Sequence, residues 1–237
     1  MHKLPFYALV AGFLLASCAP APAGRISVTQ LSEAPTYYPH PTGAVWSYLP
    51  EGEAQNAPLL VQQVEGPTLI DGRTLTAWRT TGRGFETRTY RDYRGNGVFI
   101  PRETGPGYVT TISPAIQEWP RERTLKVGLR WGGEALATIT FTDADRSEKV
   151  RLEYRYEVVD QRPVTTPAGT FDVFVVSFES RSYNPAGETQ EVLRQELWFA
   201  PFVGEVKTDA GLFLLSTNLL PESTPPEDAD TASEGSS

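Results

Sequence analysis

Between Val150 and Val159 the chain alternates residue by residue. Leu152, Tyr154, Tyr156 and Val158 fall on one side, with Arg151, Glu153, Arg155 and Glu157 on the other. A period of two is the pattern of a strand with one buried and one wet face. The wet face of such a strand can carry cross-strand ion pairs, each worth little. The same alternation, broken by turn residues, repeats from Gly43 to Leu220, and no run of a dozen residues carries a helical stripe. Strands are expected over 45–49, 59–70, 73–81, 85–93, 98–100, 108–112, 124–131, 135–142, 150–159, 171–179, 191–199, 203–207 and 212–217. Asp71-Gly72 is a two-residue hairpin signal between the second and third of these. The 171–179 segment is apolar on both faces through Val173, Phe174, Val175, Val176 and Phe178, which predicts a central strand. Residues 114–120 begin and end with proline and are expected as one helical turn or a loop across the mouth. The fold class is all-β with little helix: a large antiparallel meander curled into an open half-barrel or a sandwich.

The N-terminus follows another logic. A single lysine, Lys3, precedes an uncharged stretch from Leu4 to Ala16, and small residues follow. This is the layout of a secretory signal, and the stretch is shorter than the ~20 apolar residues that cross a bilayer. Leu15-Ala16-Ser17-Cys18 resembles the lipobox of bacterial lipoproteins, and Cys18 is the only cysteine of the chain. The resemblance implies a signal peptide over residues 1–17, cleavage before Cys18, and diacylation of its thiol. Two or three acyl chains anchor a protein stably, whereas one is marginal. Ala19, in place of an aspartate, points to the outer membrane if the host has one.

Residues 18–42 are Pro-, Ala- and Ser-rich and read as a semi-extended tether. Tyr37 and Tyr38 near its end are placed to pack back on the domain of residues 43–220. Residues 221–237 contain five acidic groups, no basic one, and no aromatic or large aliphatic side chain; they are expected to be disordered. The formal net charge is −8. With the signal and the acidic tail set aside, the body is near −4. This mild negative balance argues against nucleic acid, which calls for a basic footprint, and against electrostatic docking on anionic lipid headgroups. The expected membrane contact therefore runs through the acyl chains.

The inventory of reactive groups is small. His40 is the one histidine beyond the signal segment, and Cys18 is committed to acylation. Zinc sites built from His and Cys are thereby excluded, as is a Ser-His-Asp triad that does not use His40. Asp143-Ala144-Asp145-Arg146-Ser147-Glu148 has the ligand spacing of a short calcium loop, but it contains Arg146 and lacks the glycine at the sixth position. It reads as a polar turn, as does Asp92-Tyr93-Arg94-Gly95-Asn96-Gly97. Tyr37, Tyr38, Tyr90, Tyr93 and Tyr108 either pack structurally or line a carbohydrate- or peptide-binding surface. Glu191 with Glu196, or Glu153 with Glu157, are the candidate pairs for carboxylate chemistry. No catalytic, metal, cofactor or ligand-binding residue is assigned; Cys18, for lipid attachment, is the only site residue.

Four motifs carry a further resemblance. They are Gly43-Ala44-Val45-Trp46, the segment Leu125-Lys126-Val127-Gly128-Leu129-Arg130-Trp131, Thr166-Pro167-Ala168-Gly169-Thr170-Phe171, and Trp198-Phe199-Ala200-Pro201-Phe202-Val203-Gly204-Glu205-Val206-Lys207. Together they resemble a group of bacterial envelope proteins of TapB-like type, whose sheets are similar to the half-barrel of LolA- and LolB-type lipoprotein carriers. Trp46, Trp131 and Trp198 are expected as core anchors. The group has no agreed activity. The lipobox, the tether, the absence of catalytic residues and the half-barrel resemblance together point to a lipid-anchored, non-catalytic envelope protein whose curved sheet binds an apolar ligand, a lipid or another envelope protein. An accessory structural lipoprotein of a pilus, secretin or surface layer is the second reading, and a carboxylate-dependent glycan hydrolase the third.

Overall fold

A computed structural model describes residues 34–184 and 186–220. Cys18, the signal segment, residues 18–33 of the tether and the acidic segment 221–237 lie outside the described residues.

Twelve strands follow one another: β1 (Val45–Pro50), β2 (Leu60–Ile70), β3 (Arg73–Gly82), β4 (Phe85–Arg94), β5 (Gly97–Gly105), β6 (Tyr108–Pro120), β7 (Arg130–Phe141), β8 (Arg146–Thr166), β9 (Gly169–Tyr183), β10 (Thr189–Ala200), β11 (Gly204–Lys207) and β12 (Leu212–Thr217). Each pairs antiparallel with the next. The all-β meander is as expected, and no helix occurs among the described residues. Asp71 and Gly72 make the predicted turn with φ of 50° and 75°, the left-handed pair that a tight hairpin needs.

The expected open half-barrel or sandwich is corrected: the strands close into a barrel. Trp46 of β1 lies opposite Gln62 on one side and Thr217 on the other, so both edges of the first strand are paired. Closure removes the two free edges that an open meander would expose. Asn218 fastens the seam: its Oδ1 accepts from Val45 N at 2.9 Å, and its Nδ2 donates to Gly43 O at 3.0 Å. The thinnest part of the ring is β11–β12, which share one ladder pair, Lys207 with Phe213.

Two local expectations also change. Residues 114–120 are not a helical turn; they are the C-terminal half of β6. Pro114 is tolerated because the β5–β6 ladder skips from Arg102–Thr111 to Ile100–Ile116, leaving it in an irregularity where no N–H is required. Residues 124–131 are not a strand up to Gly128 and Leu129; they form turns, and β7 starts at Arg130. Gly128, at φ 85°, donates its N–H to Val158 O at 2.8 Å, which ties this segment to β8.

The central-strand expectation for 171–179 agrees with the burial of β9. Val173 and Val175 belong to a cluster with Trp46, Tyr48, Val64, Val206 and Leu214. Val176, with Phe174 and Phe178 packed beside it, belongs to a second cluster with Tyr38, Trp119, Tyr156, Val158 and Phe199. Trp46 is fully buried, whereas Trp131 and Trp198 are half-buried. Tyr37 and Tyr38 are buried, and Tyr38 stacks on Trp119 at 5.6 Å between ring centroids.

Candidate functional site

Side chains from β1, β2, β3, β4, β6, β10 and β11 line one cavity, so it lies in the lumen of the ring. Its volume is only about 40 Å³, room for about one or two waters. Its walls are charged. Arg91 of β4 grips Glu118 of β6 with two bonds, Nε to Oε2 and NH2 to Oε1, both 2.6 Å. The two side chains are 14% and 12% exposed. Such a paired, two-pronged geometry is the strong form of an ion pair. Burial works against the Arg91 charge, but Glu118 outweighs it and holds the guanidinium protonated.

Aromatic rings frame the pair. The Arg91 guanidinium lies over the Trp78 ring at 4.4 Å. Trp78 stacks on Trp46 at 4.9 Å, and Trp46 Nε1 donates to Val203 O at 2.7 Å. Trp78 Nε1 is buried without a hydrogen-bond partner among the described residues. Glu205 of β11 completes the cluster. Desolvation, and then repulsion from Asp209 and Glu118, push its carboxyl up to about 8 against the opposing pull of Arg91. Tyr48, whose hydroxyl donates to Glu205 O at 3.1 Å, is buried and pushed well above the ordinary tyrosine range, chiefly by desolvation.

Ladder irregularities place these groups. Arg91 lies where β4 and β5 lose register between Tyr90 and Asp92. Glu118 is the extra residue opposite Val98 and Phe99, and Glu205 borders the β10–β11 bulge at Val206. Bulges re-aim side chains in this way. Gly204 makes the close approach of Trp46 possible: a Cβ there would lie 3.1 Å from Trp46 Nε1, and φ is 102°. Gly204→Ala is therefore expected to lower stability by about 1–3 kcal/mol. Denaturant unfolding measures this, and a change below about 0.5 kcal/mol would contradict it.

The residues singled out from sequence are dispersed. His40 stacks on Tyr93 at 3.6 Å, and its Nδ1 donates to Tyr38 O at 2.8 Å. Tyr108 instead donates to Glu103 at 3.1 Å, next to the β5–β6 turn, so the five tyrosines share no single surface. Glu153 accepts from Tyr183 at 2.7 Å, and Glu157 pairs with Arg130 at 2.7 Å. Glu196 takes Trp198 Nε1 at 2.8 Å and Lys207 at 3.3 Å. Asp92 is bound by Arg73 and Arg94; burial opposes its charge, but the two arginines hold its carboxyl below the ordinary range. Asp143 to Asp145 form the β7–β8 turn, and no group of three His, Cys, Asp or Glu gathers to hold a metal among the described residues. Arg91 and Glu118 were not legible in advance, whereas Glu205 sits inside the Trp198–Lys207 motif.

A second concavity is open and larger, about 750 Å³. It lies at the end of the barrel where the chain enters, between Tyr37, the β6–β7 segment, β9 and the β10–β11 turn.

No family model matches the chain, and no curated relative is similar to it at a significant level. Two solved structures are similar in part. One is a candidate lipoprotein from Parabacteroides distasonis, at 15% identity and a TM-score of 0.46. The other is a candidate exported protein with a YmcC-like fold from Bacteroides fragilis, at 12% identity and a TM-score of 0.44. Each match covers 78% of this chain and 99% of the other. Similarity at this level assigns no function.

Proposed function

We propose that the protein is a lipid-anchored, non-catalytic component of a bacterial cell envelope, held by acyl chains on Cys18, with the barrel outside the cytoplasm. Leu15-Ala16-Ser17-Cys18, with its sole cysteine and the tether behind it, is the observation that carries this reading. The lumen refines it. The cavity beside Arg91, Glu118 and Glu205, at about 40 Å³, admits neither an acyl chain nor a sugar ring, which favours an apolar ligand or envelope partner met by the outside of the barrel. The same volume counts against a glycan hydrolase built on Glu118 and Glu205. Arg91, Glu118 and Glu205 are then structural groups of the filled core.

Cys18→Ser is the direct perturbation. The unaltered protein is expected in the membrane fraction, resistant to salt and alkaline washing and released by detergent. The variant is expected to lose at least ten-fold of that membrane retention. Retention of Cys18→Ser in washed membranes at the unaltered level would refute the anchor.

A further inference from the structure

In a meander of this order, the turns after β2, β4, β6, β8 and β10 lie at the end where the chain enters β1. The β10–β11 turn is tied to that entry. Phe202 N–H donates to Tyr37 O at 3.1 Å, and the two rings meet edge-on at 5.7 Å. Phe202 is nevertheless 46% exposed, and its φ is 67°. A bulky residue in the left-handed region is a strained outlier, and such strain is concentrated at functional positions.

Beside it, residues 121–129 turn Leu125 inward and leave Arg121, Arg123, Lys126 and Val127 outside, Val127 56% exposed. Glu122 is the single carboxylate of that stretch. None of the three cations is salt-bridged among the described residues. Arg123, Leu125, Tyr37 and Phe202 line the open groove together with Phe171 and Phe174.

We propose that this rim seats on an anionic phospholipid bilayer, with Phe202 and Val127 at headgroup depth and Arg121, Arg123 and Lys126 on lipid phosphates. The proposal rests on the reading of Cys18 as the acyl anchor and names the surface that such an anchor presents. The sixteen steps from Cys18 to Ala34 span at most about 55 Å, and the chain enters the domain three residues before Tyr37. The point where the tether enters the domain and the aromatic, basic rim lie at the same end of the barrel. Aromatic rings favour the membrane–water interface, and clustered Lys and Arg are drawn to anionic headgroups. The net negative charge, which argues against such docking for the surface as a whole, is outweighed at this rim because attraction is local within a Debye length. The acidic segment 221–237 is the competing occupant for the cations, but it has no large apolar side chain to cover Phe202 and Val127.

Cys18 is the sole cysteine, so acylation leaves any introduced thiol as the unique labelling site. Phe202→Cys, Val127→Cys and, as reference, Phe85→Cys are prepared in the mature acylated protein and labelled with the fluorophore NBD. Phe85 is 54% exposed and lies at the opposite end, beside the β3–β4 turn. The labelled proteins are then placed on vesicles of phosphatidylcholine alone or with 30% phosphatidylglycerol. Emission at positions 202 and 127 is expected to shift to the blue and rise at least two-fold on the anionic vesicles, with no change at position 85. Combined Arg121→Ala, Arg123→Ala and Lys126→Ala is expected to abolish the dependence on phosphatidylglycerol. Water-like emission at all three positions in a protein that floats with the vesicles would overturn the docking and leave the anchor standing. Failure to float, with Cys18 itself taking the dye, would overturn the anchor and the docking with it. A blue shift present without vesicles and lost on deleting residues 221–237 would assign the rim to the chain's own tail, against the proposal.

Discussion

Arg91→Ala is expected to destabilise the protein by about 3–5 kcal/mol, because it leaves Glu118 buried without its counter-charge. Both side chains are mostly buried, at 14% and 12% exposure, and both bonds between them are 2.6 Å. The substitution also strips the cation from the face of Trp78. For a domain of this size each kcal/mol moves Tm by about 2–4 °C, so a fall of roughly 6–20 °C is expected by calorimetry. Joint replacement, Arg91→Met with Glu118→Leu, should recover most of the loss, since a well-packed apolar pair of similar volume is often neutral or stabilising where a lone buried charge is not. A cost below about 1 kcal/mol for Arg91→Ala would place the pair in contact with water and remove the argument that the lumen is filled.

The second large effect is a dependence on pH. Glu205 ionises at about 8 in the folded protein, against an ordinary glutamate value of 4.5. Between those values the folded state holds a proton that the unfolded chain has released. Stability linked to this group is complete below about pH 4.5 and falls as pH rises through 8, the reverse of an ion-paired carboxylate. Glu205 is half-buried by its surface accessibility, so the drop across the window is on the order of 3 kcal/mol rather than the full linkage value. Glu205→Gln, which keeps the shape and cannot ionise, is expected to flatten this part of the profile and to be the more stable protein at pH 9. Urea unfolding at pH 5, 7 and 9 reads the difference between the two proteins. Parallel profiles would show that Glu205 ionises normally.

These two residues show what was legible in the sequence and what was not. The alternation of Leu152, Tyr154, Tyr156 and Val158 announced β8, and the two-sided apolar run through Val173 to Phe178 announced β9, because both signals are local. Barrel closure is not local. Trp46 meets Thr217 across nearly the whole barrel domain, and nothing in Val45–Pro50 distinguishes an edge strand from one paired on both sides. Residues 114–120 read as a helical turn or loop because two prolines normally exclude a strand; the irregular β5–β6 ladder accommodates Pro114 instead. Arg91 and Glu118 escaped notice for a related reason. Each lies where a ladder loses register, and local period carries no mark of the partner strand's extra residue. A charged residue in an alternating strand then looks like part of a wet face. The cross-strand pairs that the alternation did suggest are present on the wet face of β8, where Glu157 takes Arg130 at 2.7 Å and Arg155 reaches Glu179 at 4.0 Å.

The narrow cavity and the proposed acyl anchor together separate a protein that works by its outer surface from one that carries a lipid inside. Native mass spectrometry of the protein purified from membranes tests both in one measurement. The expected species begins at Cys18, carries two or three acyl chains on that residue, and holds no further ligand once the detergent is stripped. A species with an unmodified Cys18, or with one lipid retained per barrel beyond the covalent chains, would contradict it.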